Sequence, residues 1–280
     1  MNVSVCGLGI MGNNHLRICK TNGYNIVSTY DPAKKDDYVS FLKSLKHTDC
    51  LIIASPTNYH TKNIVDALEI NKNIKILCEK PITFSSSDEF IQYITPFEKN
   101  ILVGQVERFN PMLNKLKKIL ESCNENIIQI KTLRVNNTPS RETIDVRKDI
   151  GIHDFDAVCY LLNNLPKKIQ IMSSGFENNK NHENLIYNIK ETQIINEISW
   201  KYPYKDRKIN VLTDSGVYEG HYFNQTLKFI DWSNNETKIE IERKEPLNEE
   251  IKFLEKMVKE DIDSCITVSE NITLLNLLGY

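Results

Sequence analysis

Three sets of residues in this chain of 280 have the types and spacing to do chemistry. The first is Gly7-Leu8-Gly9-Ile10-Met11-Gly12, which follows an apolar run and precedes a stretch of helical spacing. In that setting a G-x-G-x-x-G turn is suited to cradle a dinucleotide. Gly7 permits the tight turn, Gly9 lets the backbone approach a pyrophosphate, and Gly12 lets the helix pack closely on the strand. The helix N-terminus that follows supplies amide donors and a favourable dipole. Asp31 stands nineteen residues past Gly12, at the end of the second expected strand. A carboxylate there would accept hydrogen bonds from ribose hydroxyls and repel a 2′-phosphate, so NAD is expected as cofactor. Lys34 and Lys35, close behind, weigh toward NADP, and a turn residue before Pro32 is the structural alternative for Asp31.

The second set lies where further strands end. Ser55-Pro56-Thr57-Asn58 follows the third apolar run, at the edge where open α/β sheets place ligand contacts, so Ser55, Thr57 and Asn58 are candidates. Glu79-Lys80-Pro81 ends the fourth run in the same way, with Lys80 held at the sheet's edge and Pro81 stiffening the turn. A solvated lysine fits that pattern equally well. The third set is Asp149 and His153, four apart and so on one face of a helix. The carboxylate could orient the imidazole as a base whose ordinary pKa lies near neutrality. Asp154 and Asp156 turn to other faces, and no other histidine has ligand spacing, so no metal is expected.

The elements that would position these residues follow from periodicity. Apolar runs at 2–6, 25–30, 50–54, 74–78 and 101–104 read as buried strands. Helical stretches at 15–21, 38–46, 59–71 and 86–97 separate them, the last capped by Ser85, Ser86 or Ser87. Alternation of this kind implies crossover units and a parallel sheet. Beyond residue 105 the pattern changes: a helix at 112–122, a strand at 127–135, an irregular stretch at 136–148 and a helix at 149–162. Strands at 168–173, 185–189, 193–200, 208–213, 217–223 and 237–243 then suggest one mostly antiparallel sheet. Helices at 248–260 and 268–278 close the chain.

With 35 basic and 37 acidic side chains and no block of like charge, neither nucleic acid nor a membrane surface is an expected partner. No apolar run approaches the roughly 20 residues of a bilayer crossing. The seven cysteines are scattered and never form a C-x-x-C pair, and no signal peptide is visible, so a reducing cytoplasm is expected.

Taken in order, Gly7 to Gly12, Ser55 to Asn58, Glu79-Lys80-Pro81, Glu107-Arg108-Phe109-Asn110-Pro111 and Asp149-x-Gly151-x-His153-Asp154 resemble the glucose-fructose oxidoreductase and inositol dehydrogenase family (Gfo/Idh/MocA). The likeness runs to about residue 165 and resumes at the last helix. Asp145 to Lys148 departs from it, being charged and bulky where many members carry glycines. The resemblance implies an α/β Rossmann domain over 1–106, with the helix at 266–280 packing back on it. It implies an α+β substrate and oligomerisation domain with an open, mostly antiparallel sheet over 107–265. Lys80, Asp149 and His153 would be catalytic, and Gly7, Gly9, Ile10, Met11, Gly12, Asp31, Ser55, Thr57, Asn58, Glu79 and Lys80 would hold the cofactor. Lys80, Arg108, Asn110 and His153 would meet the substrate, Arg108 as a planar fork for a phosphate or carboxylate. The phrases at 103–111 and 151–156 look closest to the branch that oxidises UDP-N-acetylglucosamine at C3. The implied activity is therefore NAD-dependent oxidation of a secondary sugar hydroxyl, that of a nucleotide sugar, by a homo-oligomer. A free sugar or cyclitol dehydrogenase and a non-catalytic dinucleotide-binding regulator are the alternatives.

Overall fold

The structure, a computed structural model, describes residues 1–34, 36–83, 88–123, 125–138, 145–173 and 181–279. The chain divides into two units, one of residues 1–105 with 247–273 and one of residues 106–246 with 274–279.

In the first unit the short apolar runs become β1 (Asn2–Cys6), β2 (Asn25–Tyr30), β3 (Cys50–Ile53), β4 (Lys75–Glu79) and β5 (Ile101–Gly104). They pair in parallel in the order β2-β1-β3-β4-β5. β3 and β5 are buried at every position, which requires apolar residues at successive positions rather than in alternation. The intervening helices are α1 (Ile10–Thr21), α2 (Tyr38–Ser44), α3 (His60–Ile70) and α4 (Asp88–Ile94). Strand order reverses at β1, which pairs with β2 on one side and β3 on the other, so the carboxyl ends of β1 and β3 flank a topological switch point. Asp37 caps α2 by accepting the Val39 amide at 3.0 Å. The serine cap expected for α4 lies outside the described residues, and α4 opens on Asp88 and Glu89.

The second unit begins with α5 (Pro111–Cys123) and β6 (Ile127–Asn137). A five-residue π turn, Arg147–Gly151, then leads into α6 (Ile152–Leu162). A continuous α-helix from residue 149 was expected, and the wider turn stands in its first part. Residues 139–144 of the stretch expected to be irregular lie outside the described residues. Seven strands follow: β7 (Ile169–Ser173), β8 (His182–Ile189), β9 (Thr192–Ser199), β10 (Lys201–Thr213), β11 (Gly216–His221), β12 (Thr226–Asp231) and β13 (Glu236–Ile239). With β6 they make one eight-stranded sheet, β13-β12-β11-β10-β6-β9-β8-β7. Every pairing is antiparallel except β6 with β9. β12 was not expected: its Thr-Leu-Lys-Phe-Ile-Asp has weak alternation, and its pairing with β11 secures it. α5 and α6 pack on this sheet.

Two boundaries differ from the expected division. α7 (Pro246–Glu260) belongs to the first unit, where Asn248 accepts from Asn22 at 2.8 Å and Ile251 and Leu254 are fully buried. The closing α8 (Val268–Leu277) is shared, its start counted with the first unit and its end with the second.

Candidate functional site

The glycine turn sits at the switch point of the parallel sheet. Gly7 has φ +92°, and a Cβ there would lie 2.4 Å from the Ser55 nitrogen, so only glycine fits against the neighbouring strand end. A Cβ on Gly12 would lie 1.9 Å from the Gly7 carbonyl oxygen, which makes Gly12 the close contact between helix and turn. At Gly9 the same construction meets nothing within 4 Å. That open side is what a backbone needs if a ligand is to approach it. Gly9 is also the N-cap of α1 and offers no side-chain cap, and the first turn carries no acid, so its amide donors are not engaged by a local carboxylate. Ile10 and Met11 are exposed there.

Asp31 completes the cradle. One oxygen accepts the Leu8 amide at 2.7 Å and the other the Ala33 amide at 2.9 Å. A carboxylate has about four lone-pair sites, so both oxygens keep acceptor capacity beside the turn. Lys34 is exposed, and Lys35 lies outside the described residues. These residues fit the adenosine ribose and pyrophosphate of a dinucleotide.

Ser55, Thr57 and Asn58 follow β3 directly, with Thr57–Tyr59 forming a 3₁₀ turn. The Ser55 hydroxyl accepts from Asn63 at 2.9 Å. His60, at the start of α3 and buried, ties this segment to the next one. Its Nε2 lies 2.8 Å from the Ser55 carbonyl oxygen and its Nδ1 3.0 Å from that of Pro81. Burial pulls the His60 pKa below its ordinary value, against the opposing pull of the two carbonyls and of Glu79. A neutral ring donates through one nitrogen only, so it can satisfy one of the two carbonyls at a time.

Glu79 does not stand where an exposed cofactor contact would. It is buried and bonded to His15 Nε2 at 2.8 Å, inside the unit under the carboxyl end of β4. Burial pushes its pKa up, but His15 and the Lys80 charge hold it below the usual carboxylate range. Glu250 on α7 is fully buried, and neither of its oxygens has a hydrogen-bond partner among the described residues. Burial and the Glu79 charge push its pKa well above the usual carboxylate range. Lys80 itself is half-buried, joined to Pro81 by a cis peptide bond.

In the second unit Asp149 and His153 are both half-buried, Asp149 inside the π turn and His153 two residues beyond its end. A π turn spaces side chains more widely than an α turn and recurs at functional sites. Gly151 lets it pack on the sheet, since a Cβ there would lie 2.6 Å from Ile198 Cδ1. Arg147 holds its start through an ion pair with Glu183 at 3.3 Å.

Beneath α6 lies a charge network that sequence patterns did not reveal. Arg134, 1% exposed, bonds Asp154 at 2.7 Å and Glu107 at 2.9 Å. Arg207 reaches the same Glu107 at 3.3 Å. Burial raises the Asp154 pKa against the pull of Arg134, while the two carboxylates raise the Arg134 pKa against its burial. Two expected substrate residues prove to be part of this interior. Arg108 is buried, with Nε at 2.9 Å and Nη2 at 2.6 Å from Asp156, a fork closed on a carboxylate of its own chain. Asn110 caps α5 by accepting the Met112 amide at 3.1 Å and donates to Glu107 and to the Tyr222 carbonyl. Among the described residues no group of three or more His, Cys, Asp or Glu is arranged to hold a metal, and no helix is long and apolar enough to cross a membrane.

Residues 1–106 match the family model described as "Oxidoreductase family, NAD-binding Rossmann fold". An inositol 2-dehydrogenase of Corynebacterium glutamicum is 28% identical over 183 residues, 58% of this chain and 54% of the relative. The chain spans about half the length of the curated relatives it matches, 54% for each of two. UDP-N-acetylglucosamine 3-dehydrogenase from Acidithiobacillus ferrooxidans superposes with a TM-score of 0.84 at 16% identity, over 99% of this chain and 96% of that one. An Agrobacterium radiobacter oxidoreductase solved with NAD+, L-tartaric acid and magnesium superposes with a TM-score of 0.81 at 13% identity, over 99% and 94%. At such identities the structural likeness is one of fold. The match and the glycine turn make residues 1–106 similar to the NAD-binding Rossmann fold of the Gfo/Idh/MocA oxidoreductases.

Proposed function

We propose that the protein is an NAD-dependent dehydrogenase that oxidises a secondary hydroxyl of a sugar, a nucleotide sugar such as UDP-N-acetylglucosamine, to the ketone. The observation that carries this reading is the open glycine turn with the Asp31 carboxylate tied to it through Leu8. Bound NAD would supply the oxidising power by taking a hydride from the carbinol carbon. His153, with Asp149 as its orienting carboxylate, accepts the hydroxyl proton, and Lys80 holds the oxygen and stabilises developing negative charge. The preference for NAD over NADP rests on Asp31, whose charge repels a 2′-phosphate. The face of the eight-stranded sheet opposite α5 and α6 carries Leu133, Ile195 and Leu212 at alternating positions, half-buried, which suits pairing with a second copy. Among the described residues no disulfide joins any of the seven cysteines, which suits a reducing cytoplasm.

A panel of UDP-sugars, free sugars and inositols, each with NAD and NADP and followed by reduced-cofactor absorbance, tests the reading. Loss of the general base should cost about 10²- to 10⁴-fold in turnover, and loss of the oxygen-holding cation about 10²- to 10³-fold. His153→Ala and Lys80→Ala should thus lose turnover while still binding NADH. Near-normal turnover in either variant would remove that residue from its role. NADH binding with no turnover on any member of the panel would favour a dinucleotide-binding regulator.

A further inference from the structure

We propose that Lys205, Arg207 and Phe223 form a subsite for a phosphate group of the substrate. The inference rests on the dehydrogenase reading for its role and on the second unit alone for its geometry. Lys205 and Arg207 sit two apart on β10, and the head of each lies 4.6 Å from the centre of the Phe223 ring. The ring follows β11 and is about half exposed. Two cations are therefore held around one accessible aromatic side chain.

The carboxylates nearby are already committed. Glu107 serves Arg134 at 2.9 Å before it serves Arg207 at 3.3 Å, and Asp154 is held by Arg134. Asp206, next to Lys205 in sequence, pairs with Lys208 at 2.6 Å. No acidic partner of Lys205 is found among the described residues, where its contact is the ring. Burial and Arg134 pull Arg207 down to about 10 against the pull of Glu107 and Asp154, and burial, Arg207 and Arg134 pull Lys205 down. Arg134 Nη1 and the Tyr222 hydroxyl, buried in the same cluster, have no hydrogen-bond partner among the described residues. Arg134, Arg207 and Lys205 set three cations against the two carboxylates Glu107 and Asp154, and such an excess of positive charge at an accessible edge is the chemistry of an anion site.

The cluster also connects to the helix that carries the proposed base. Arg207 is the cross-strand neighbour of Arg134, and Arg134 holds Asp154, the residue after His153. A phosphate at Lys205 and Arg207 would thus be read by the same unit that bears His153. The shared chemistry is a phosphoryl group, carried either by a nucleoside diphosphate sugar or by a sugar phosphate.

The test is calorimetric titration of the protein saturated with NADH, which occupies the pyrophosphate cradle of the first unit, with UDP, inorganic pyrophosphate and inorganic phosphate. UDP or pyrophosphate binding alone would identify the diphosphate class, and binding of phosphate as well would identify a sugar phosphate. A charge-assisted hydrogen bond is worth about 10- to 100-fold in affinity, so Lys205→Glu should weaken binding at least about tenfold and Lys205→Gln somewhat less. Both variants change an exposed side chain, and both should bind NADH as before. The proposal is overturned if none of the three anions binds, or if Lys205→Glu binds them as the unmodified protein does. Turnover does not enter this assay. Anion binding without sugar oxidation would sink the dehydrogenase reading and leave the subsite standing, whereas oxidation indifferent to Lys205 would do the reverse.

Discussion

Replacing Glu250 by glutamine removes a proton-binding group from the interior of the first unit while keeping its size. In the folded protein Glu250 is fully buried beside ionised Glu79, and its pKa is raised well above the ordinary range. In the unfolded chain the same carboxyl titrates near about 4.3. Below that pH both states hold the proton and Glu250 confers no pH dependence. Between the unfolded and the folded pKa the unfolded state is ionised and the folded state is protonated. Stability then falls by about 1.4 kcal/mol per pH unit as pH rises, and the fall ends once pH passes the folded pKa. Glu79 acts in the opposite direction: its folded pKa is depressed, so its contribution is lost only as pH drops below the ordinary carboxylate range. As pH rises above the ordinary carboxylate range the unmodified protein should therefore lose up to about 1.4 kcal/mol per pH unit relative to Glu250→Gln. The His60 contribution is common to both proteins and cancels. Both tryptophans, Trp200 and Trp232, lie in the second unit, so fluorescence would report on the wrong half of the chain. Native-state hydrogen exchange of the β3 and β4 amides reads the correct one. A difference between the proteins that stays constant as pH rises above the ordinary carboxylate range would refute a raised Glu250 pKa. Glu250→Met serves as a second comparison, because it lacks the glutamine amide.

Three other changes have defined outcomes. Gly12→Ala puts a Cβ 1.9 Å from a backbone oxygen that no rotamer change can move, so NADH affinity measured by fluorescence titration should fall by at least about tenfold, with far-UV dichroism retained. His60→Leu leaves the Ser55 and Pro81 carbonyls without the imidazole, at a cost of about 1–3 kcal/mol in denaturant unfolding. A cost near zero would show that the ring does not hold these two segments. Arg108→Met leaves Asp156 buried without its fork and should cost about 3–5 kcal/mol, most of it recovered in Arg108→Met with Asp156→Leu. If Arg108→Met instead kept full stability and raised KM, Arg108 would be a substrate residue after all.

Elements made by local pattern were legible before the fold was known. The runs around Val3-Ser4-Val5, Leu51-Ile52-Ile53 and Ile76-Leu77-Cys78 are apolar at successive positions because a parallel strand is covered on both faces. Gly7, Gly9 and Gly12 announce themselves because each meets a separate steric demand within six residues, and Asp31 follows at the end of the next strand. What escaped has its cause far away in the chain. β12 is a strand because β11 lies beside it, and the α7 helix joins the first unit because Asn22 and Lys75 have partners at Asn248 and Asp261. Glu79, Arg108 and Asn110 have the composition of contact residues and were read as such, but His15, Asp156 and Glu107 turn them inward.

The amino-acid sequence by itself thus determined the dinucleotide turn and the parallel sheet that presents it, since both depend on steric and hydrophobic rules acting over a few neighbouring residues. Tertiary structure alone decided which charged side chains are locked to one another. An arginine in a sequence looks the same locked or not, and only the position of a carboxylate 48 residues away, as Asp156 is from Arg108, distinguishes the two.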